Sequence, residues 1–205
     1  EQSGLDAGLA HLEEFARGHP QRGPDVVAAR AGLATGMDDV DLALGILDAG
    51  LAQYPDSMDL RMARVFAYER AGKADAATRD LRRLLEERPG DAVVQNALGY
   101  TLADRNRQLE EAAALVSAAF VQMPDSAAVL DSMGWVAFRQ GRLKEALAYL
   151  ERARDLGEDV EIDLHLGEVQ WALGDRAAAR KTWQDALERR PDDARLKERL
   201  EQAGP

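Results

Sequence analysis

The acid–base groups that could do chemistry near neutral pH are His11, His19 and His165, and the first two lie about 150 residues from the third. His165 stands between Leu164 and Leu166, where the expectation is a partly exposed helical histidine rather than a catalyst. Cysteine is absent, which removes thiolate nucleophiles, thiolate metal sites and disulfides together. Acidic residues cluster at Asp38-Asp39-Asp41, at Glu158-Asp159-Glu161-Asp163 and at Asp192-Asp193. None has the Asp-x-Asp-x-Asp-Gly spacing and distal Glu of a calcium loop. All three fall at expected helix starts, where negative charge is favoured by roughly 0.3–1 kcal/mol. No HExxH, GxSxG, P-loop or GxGxxG pattern occurs. The reading is a chain with no catalytic residues, no metal and no cofactor, so its function must reside in a surface.

The elements that present this surface are helices. Ala (37) and Leu (27) dominate over Val (12), Ile (2) and Thr (4), so the β-branched residues that furnish sheets are scarce. An all-α fold follows. An apolar content of 46% is too high for a disordered chain, and no window of 18 apolar residues offers a membrane span. The chain opens at Glu1 without a Met or an apolar signal core, as expected of a processed or excised segment whose targeting sequence lies elsewhere. The net charge of −11 is uneven: −8 over 1–60, +1 over 61–124 and −4 over 125–205. Such a chain repels phosphate backbones and anionic lipid surfaces, so neither nucleic acid nor direct membrane insertion is expected.

The prolines disclose a repeat. Pro20, Pro55, Pro89 and Pro124 are spaced by 35, 34 and 35 residues, and Pro191 follows after 67, two periods with one proline missing near Glu158. A period near 34 marks a helix–turn–helix solenoid unit. In 125–158 a first helix carries Leu130, Met133, Gly134 and Ala137, Gly141 breaks it, and a second carries Ala146, Leu147, Leu150 and Ala153. The slots recur as Leu166, Gly167, Gly174, Ala179 and Ala186 in 159–191, and as Leu98, Gly99, Ala112 and Ala119 in 91–124, with one extra residue near Asn106. Residues 57–89 keep Gly72, Ala77, Leu81 and Leu84 but place Val65 in the small-residue slot. Residues 25–55 keep Gly36, Ala43, Leu47 and Gly50, with two apparent extra residues in the turn. Pro-Asp-Ser or Pro-Gly-Asp junctions at 55–57, 89–91 and 124–126, with Pro-Asp-Asp at 191–193, each supply an N-cap. A half repeat over 5–20 and a polar capping helix over 192–203, with Leu196 and Leu200 inward, complete one solenoid over 1–205.

This pattern closely resembles the tetratricopeptide repeat family. The resemblance implies a right-handed solenoid of five repeats whose first helices line a concave groove and whose second helices form the convex face. The groove positions on that phase are Met62 and Phe66, Asn96 and Tyr100, Asp131, Trp135 and Phe138, and Leu164, Glu168 and Trp171. Five of the eleven aromatic residues fall on this strip, where they either fill space between repeats or anchor a bound segment. Asp131, Glu168 and the acidic helix starts point to a partner with basic residues. A Lys–Asn clamp for a terminal carboxylate is not expected, since Asn96 has no lysine companion on the strip.

The segments AAVLDSMGWVAFRQGR and HLGEVQWALGD, within 95–191, resemble a narrower family of proteobacterial outer-membrane tetratricopeptide lipoproteins. That resemblance implies a periplasmic adaptor, outer-membrane anchored at full length, that binds a carboxyl-terminal processing protease or its substrates. Two other readings stand beside it: a scaffold of an envelope polysaccharide secretion system, and a structural solenoid that self-associates through a truncated N-terminal edge at Leu5, Leu9 and Leu12.

Overall fold

The computed structural model describes residues 8, 10–12, 14, 17–19 and 22–204. The expected half repeat, including Leu5 and Leu9 of its edge, therefore lies largely outside the described residues. Among those described the chain is all-α: α1 (Gly23–Gly36), α2 (Val40–Gln53), α3 (Met58–Arg70), α4 (Ala74–Glu87), α5 (Ala92–Asp104), α6 (Leu109–Gln122), α7 (Ala127–Arg139), α8 (Leu143–Leu156), α9 (Val160–Ala172), α10 (Arg176–Arg189) and α11 (Ala194–Ala203). They fall into two compact units, residues 1–83 and 84–205.

Helix starts follow the junction residues. Ser57 and Ser126 accept the amides of Leu60 and Val129, Asp91 accepts those of Val93 and Val94, and Asp193 those of Arg195 and Leu196. Where the proline is missing, Asp159 caps α9 through the Glu161 amide. Asp39 and Asp159 are thus helix caps, as expected for their acidic clusters.

The turn inside every hairpin closes in one way. The amides of Asp39, Lys73, Arg107, Arg142 and Asp175 donate to the carbonyls of Ala34, Tyr68, Leu102, Ala137 and Gln170, five residues back in each case. The residue before each of those donors has positive φ: Asp38 (63°), Gly72 (66°), Asn106 (53°), Gly141 (79°) and Gly174 (89°). This corrects the reading of the first turn. Asp38, not Gly36, takes the left-handed position, so Asp38 to Ala43 matches Gly72 to Ala77 and the two extra residues vanish. The extra residue near Asn106 is real, and Gln108 absorbs it with φ 48°.

In the 1–83 unit, α1, α2 and α3 pack through Ala31, Ala34, Ala43, Leu44, Leu47, Leu60 and Ala67. Val65 is fully buried at its slot. In the 84–205 unit each helix packs on the next, and the first helices α5, α7 and α9 also stack on one another. Glycine at the slot lets each first helix approach its second helix closely. A Cβ on Gly134 would stand 2.6 Å from Leu150 Cγ, and one on Gly167 would stand 2.0 Å from Trp183 Nε1. The last hairpin is closed by α11, whose Leu196 is buried against Leu164, Trp183 and Ala186.

Candidate binding cleft

Within the 84–205 unit an open cleft of ≈ 240 Å³ is lined by residues of α5, α7, α9 and α11. Trp135 and Leu164 supply its apolar surface, His165 its centre, and Asp104, Arg139, Glu161, Glu168, Arg195, Glu198 and Arg199 its charges. The lining comes from first helices and the closing helix, because the glycine slots draw the second helices against the opposite side of each first helix.

Beneath the cleft lies a buried polar cluster. His165 is only 4% exposed, which replaces the expected partly exposed histidine. Its Nδ1 lies 2.8 Å from Asp131 Oδ1 and its Nε2 3.7 Å from Glu161 Oε1. The Trp135 ring stacks on the imidazole at 4.0 Å and 18°, and the Tyr100 ring lies 5.9 Å away. Burial alone would depress the His165 pKa, but the Asp131 carboxylate, with Glu161 and Glu168 beyond it, holds it above the ordinary imidazole value. Tyr100 Oη donates to Glu161 Oε1 at 3.2 Å. Burial, reinforced by Glu161, Asp104 and Asp131, lifts that phenol far above its usual range, so Tyr100 acts as a fixed donor.

The ten residues expected in the groove fare differently. Trp135, Leu164 and Glu168 line the cleft. Tyr100 and Asp131 reach its floor through Glu161 and His165. Phe138 packs against Trp135 at 5.1 Å, and Trp171 against Trp183 at 6.0 Å, where Arg176 covers it. Asn96 is half-buried, and its Oδ1 has no donor. Met62 and Phe66 belong to the other unit, Met62 buried and Phe66 57% exposed.

The acidic side chains meant to attract a basic partner are largely engaged already. Asp131 pairs with His165, Glu168 with Arg199 at 2.5 Å, and Glu161 with Arg195. Asp163, read from the sequence as one more helix-start charge, is buried and paired with Arg189. Sequence reasoning missed Asp104, Arg139, Glu161, His165, Arg195, Glu198 and Arg199 as site residues. The signal was present: the pairs are separated by 34 (Asp131–His165 and Glu161–Arg195) and 31 residues (Glu168–Arg199), about one repeat.

Comparison with known proteins places the fold. Two family models described as Tetratricopeptide repeat match residues 97–161 and 137–202. Over 97–202 the chain is a tetratricopeptide repeat protein. A TPR repeat-containing protein of Pseudomonas aeruginosa, PA4667, is 34% identical over 164 residues, which is 80% of this chain and 28% of that protein. The chain thus spans under a third of that relative's length. The crystal structure of TTC0263, a thermophilic TPR protein of Thermus thermophilus, is similar with a TM-score of 0.76 at 21% identity, covering 86% of this chain and 96% of that one. Pseudomonas aeruginosa pilF is similar with a TM-score of 0.63 at 18% identity, over 82% of this chain and 77% of that one. No helix among the described residues is long and apolar enough to cross a membrane.

Proposed function

We propose that the chain is a non-enzymatic scaffold that holds a segment of a partner protein in the cleft of residues 84–205. One observation carries the reading: the cleft is open, is lined from four separate helices, and offers charged groups around an indole and a leucine rather than a nucleophile with its base. A floor of buried indole and leucine beneath a rim of charged side chains suits a polar protein segment. The partner we propose is a carboxyl-terminal processing protease of the periplasm or one of its substrates, with the full-length protein tethered to the outer membrane. What supports this finer reading is the resemblance of 95–191 to lipoprotein adaptors of such proteases.

The test is site-specific photocrosslinking in cells. A benzophenone amino acid replaces Glu198, exposed at the cleft, and in a second strain Glu151, exposed on α8. The expected result is a discrete adduct from position 198, identified by mass spectrometry as the protease or a substrate, and none from position 151. Equal adducts at both positions, or none at position 198, would sink the reading.

A further inference from the structure

With His165 held by Asp131, Glu161 by Arg195 and Tyr100, and Glu168 by Arg199, three charges of the cleft lining have no oppositely charged partner among the described residues. They are Arg139 on α7, Asp104 on α5 and Glu198 on α11. Glu198 accepts only a neutral amide, from Gln202 at 3.0 Å. Arg139 is half-buried with its guanidinium carbon 5.5 Å from the centre of the Trp135 ring. That ring carries a second unused donor, because Trp135 Nε1 is buried without an acceptor. A guanidinium steadied on an indole face has given up part of its freedom and keeps its N–H edges for a planar anion. A carboxylate meets it with two parallel hydrogen bonds. Asp104 and Glu198 ask for the opposite sign.

We propose that the bound segment carries mixed charge: a carboxylate that pairs with Arg139, and lysine or arginine side chains that pair with Asp104 and Glu198. This rests on the scaffold reading and adds a carboxylate to the sequence expectation of a partner with basic residues. The basic side chains face Asp104 and Glu198 rather than Asp131 and Glu168, which pair with His165 and Arg199 of the chain itself. The anion is the carboxylate of an internal acidic side chain or of the chain terminus, and the two are separable by experiment.

The probes are four Ala/Ser peptides of equal length, titrated against the whole chain by calorimetry. One has a Lys-Ala-Glu-Ala-Lys centre and blocked ends, one only lysines, one only glutamates, and one lysines with a free C-terminal carboxylate. The two peptides bearing both signs are compared with the single-sign peptides, and an affinity about tenfold higher is expected for at least one of them. Preference for the blocked one assigns the carboxylate to a side chain, and preference for the other to a terminus. In Arg139→Glu the order inverts and the lysine-only peptide binds best, whereas in Arg139→Gln the preference disappears. Arg139 is the last residue of α7 and makes a ring contact, so both variants should keep the parent helical circular dichroism, which is verified first.

Tightest binding of the lysine-only peptide to the parent chain overturns the proposal, as does a ranking unchanged by Arg139→Glu, or binding of no peptide. Adducts at position 198 alongside a ranking indifferent to charge defeat this inference alone. Loss of both defeats the scaffold reading with it.

Discussion

Residues 1–83 and 84–205 build the same hairpin by different means. At the slot where first and second helices meet, the first unit places Ala31 and Val65, and the second places Gly99, Gly134 and Gly167. The first unit buries no polar side chain among its described residues, whereas the second buries Thr101, Asp131, Ser132, Asp163, His165 and Thr182. In the first unit Arg64 bridges exposed Asp48 and half-buried Asp80 at 2.8 Å from each. In the second, Asp131–His165, Glu161–Arg195 and Glu168–Arg199 gather at one cleft. Side chains about one repeat apart on its first helices and closing helix pair there, and this is what turns a stack of hairpins into a site.

The largest effect expected from this difference is a change of sign for one substitution. Gly167→Ala places a methyl 2.0 Å from Trp183 Nε1, and Trp183 is pinned by its hydrogen bond to the Leu164 carbonyl. The indole must leave its site, at a cost of about 3 kcal/mol. Gly32→Ala, on an exposed face of α1 with no atom within 4 Å, should instead stabilise its unit by about 0.5–1 kcal/mol. Hydrogen exchange resolved by mass spectrometry reads each unit separately. Equal effects of one sign would mean that the glycine slots do not set the approach of the helices.

Next in size is removal of the carboxylate beneath the cleft. Asp131→Ala leaves His165 buried beside Trp135 without its partner, at a cost of about 2–3 kcal/mol at pH 6. Asp48→Ala removes one half-exposed partner of Arg64 and should cost less than about 1 kcal/mol. Urea denaturation with peptide-resolved exchange separates the two. A smaller loss for Asp131→Ala than for Asp48→Ala would deny the buried pair any special role.

A pH series sharpens the same contrast. The folded pKa of His165 lies above its unfolded value near 6.5, so its contribution is fully present below pH 6.5 and is lost as pH rises through the raised value. Protection of α7 and α9 should therefore decline as pH rises above 6.5 in the parent chain, and far less in Asp131→Ala. No buried titratable group among the described residues of 1–83 imposes such a slope there. A decline that persists unchanged in Asp131→Ala would assign it to another group.

These contrasts also mark where the sequence was legible. The proline period, the capping residues and the small slots fix helix positions because each acts locally, through a backbone φ, an orphan amide or one close contact. The groove strip followed from the phase, and Trp135, Leu164 and Glu168 do reach the cleft. What could not be read from local grammar was the state of each side chain once two first helices stack. Asp131 and Glu168 looked like free acids because His165 and Arg199 lie about one repeat away along the chain. Asp163 looked like a helix-start charge because Arg189 stands on the neighbouring helix. Asp38 escaped notice because glycine is the expected occupant of a left-handed position, and Gly36 stood two residues away.

That last point yields the smallest effect. Asp38 and Asn106 occupy the same left-handed turn position in the two units, with φ of 63° and 53°. Glycine relieves the Cβ strain at either site, by about 0.5–1 kcal/mol. Asn106→Gly should show that gain, because no side-chain hydrogen bond or ion pair of Asn106 enters the turn, whose closure is the Arg107 amide on the Leu102 carbonyl. Asp38→Gly also removes the exposed pair with Arg70 at 3.2 Å, worth about 0–1 kcal/mol, so the two terms nearly cancel. Thermal midpoints at low and high salt separate the terms. At 1 M salt the surface pair is screened to a length of about 3 Å, and Asp38→Gly should then gain as much as Asn106→Gly. If the gap between the two variants survives high salt, the first turn is held by something other than its surface charges, and the two units differ in their turns as well as in their slots.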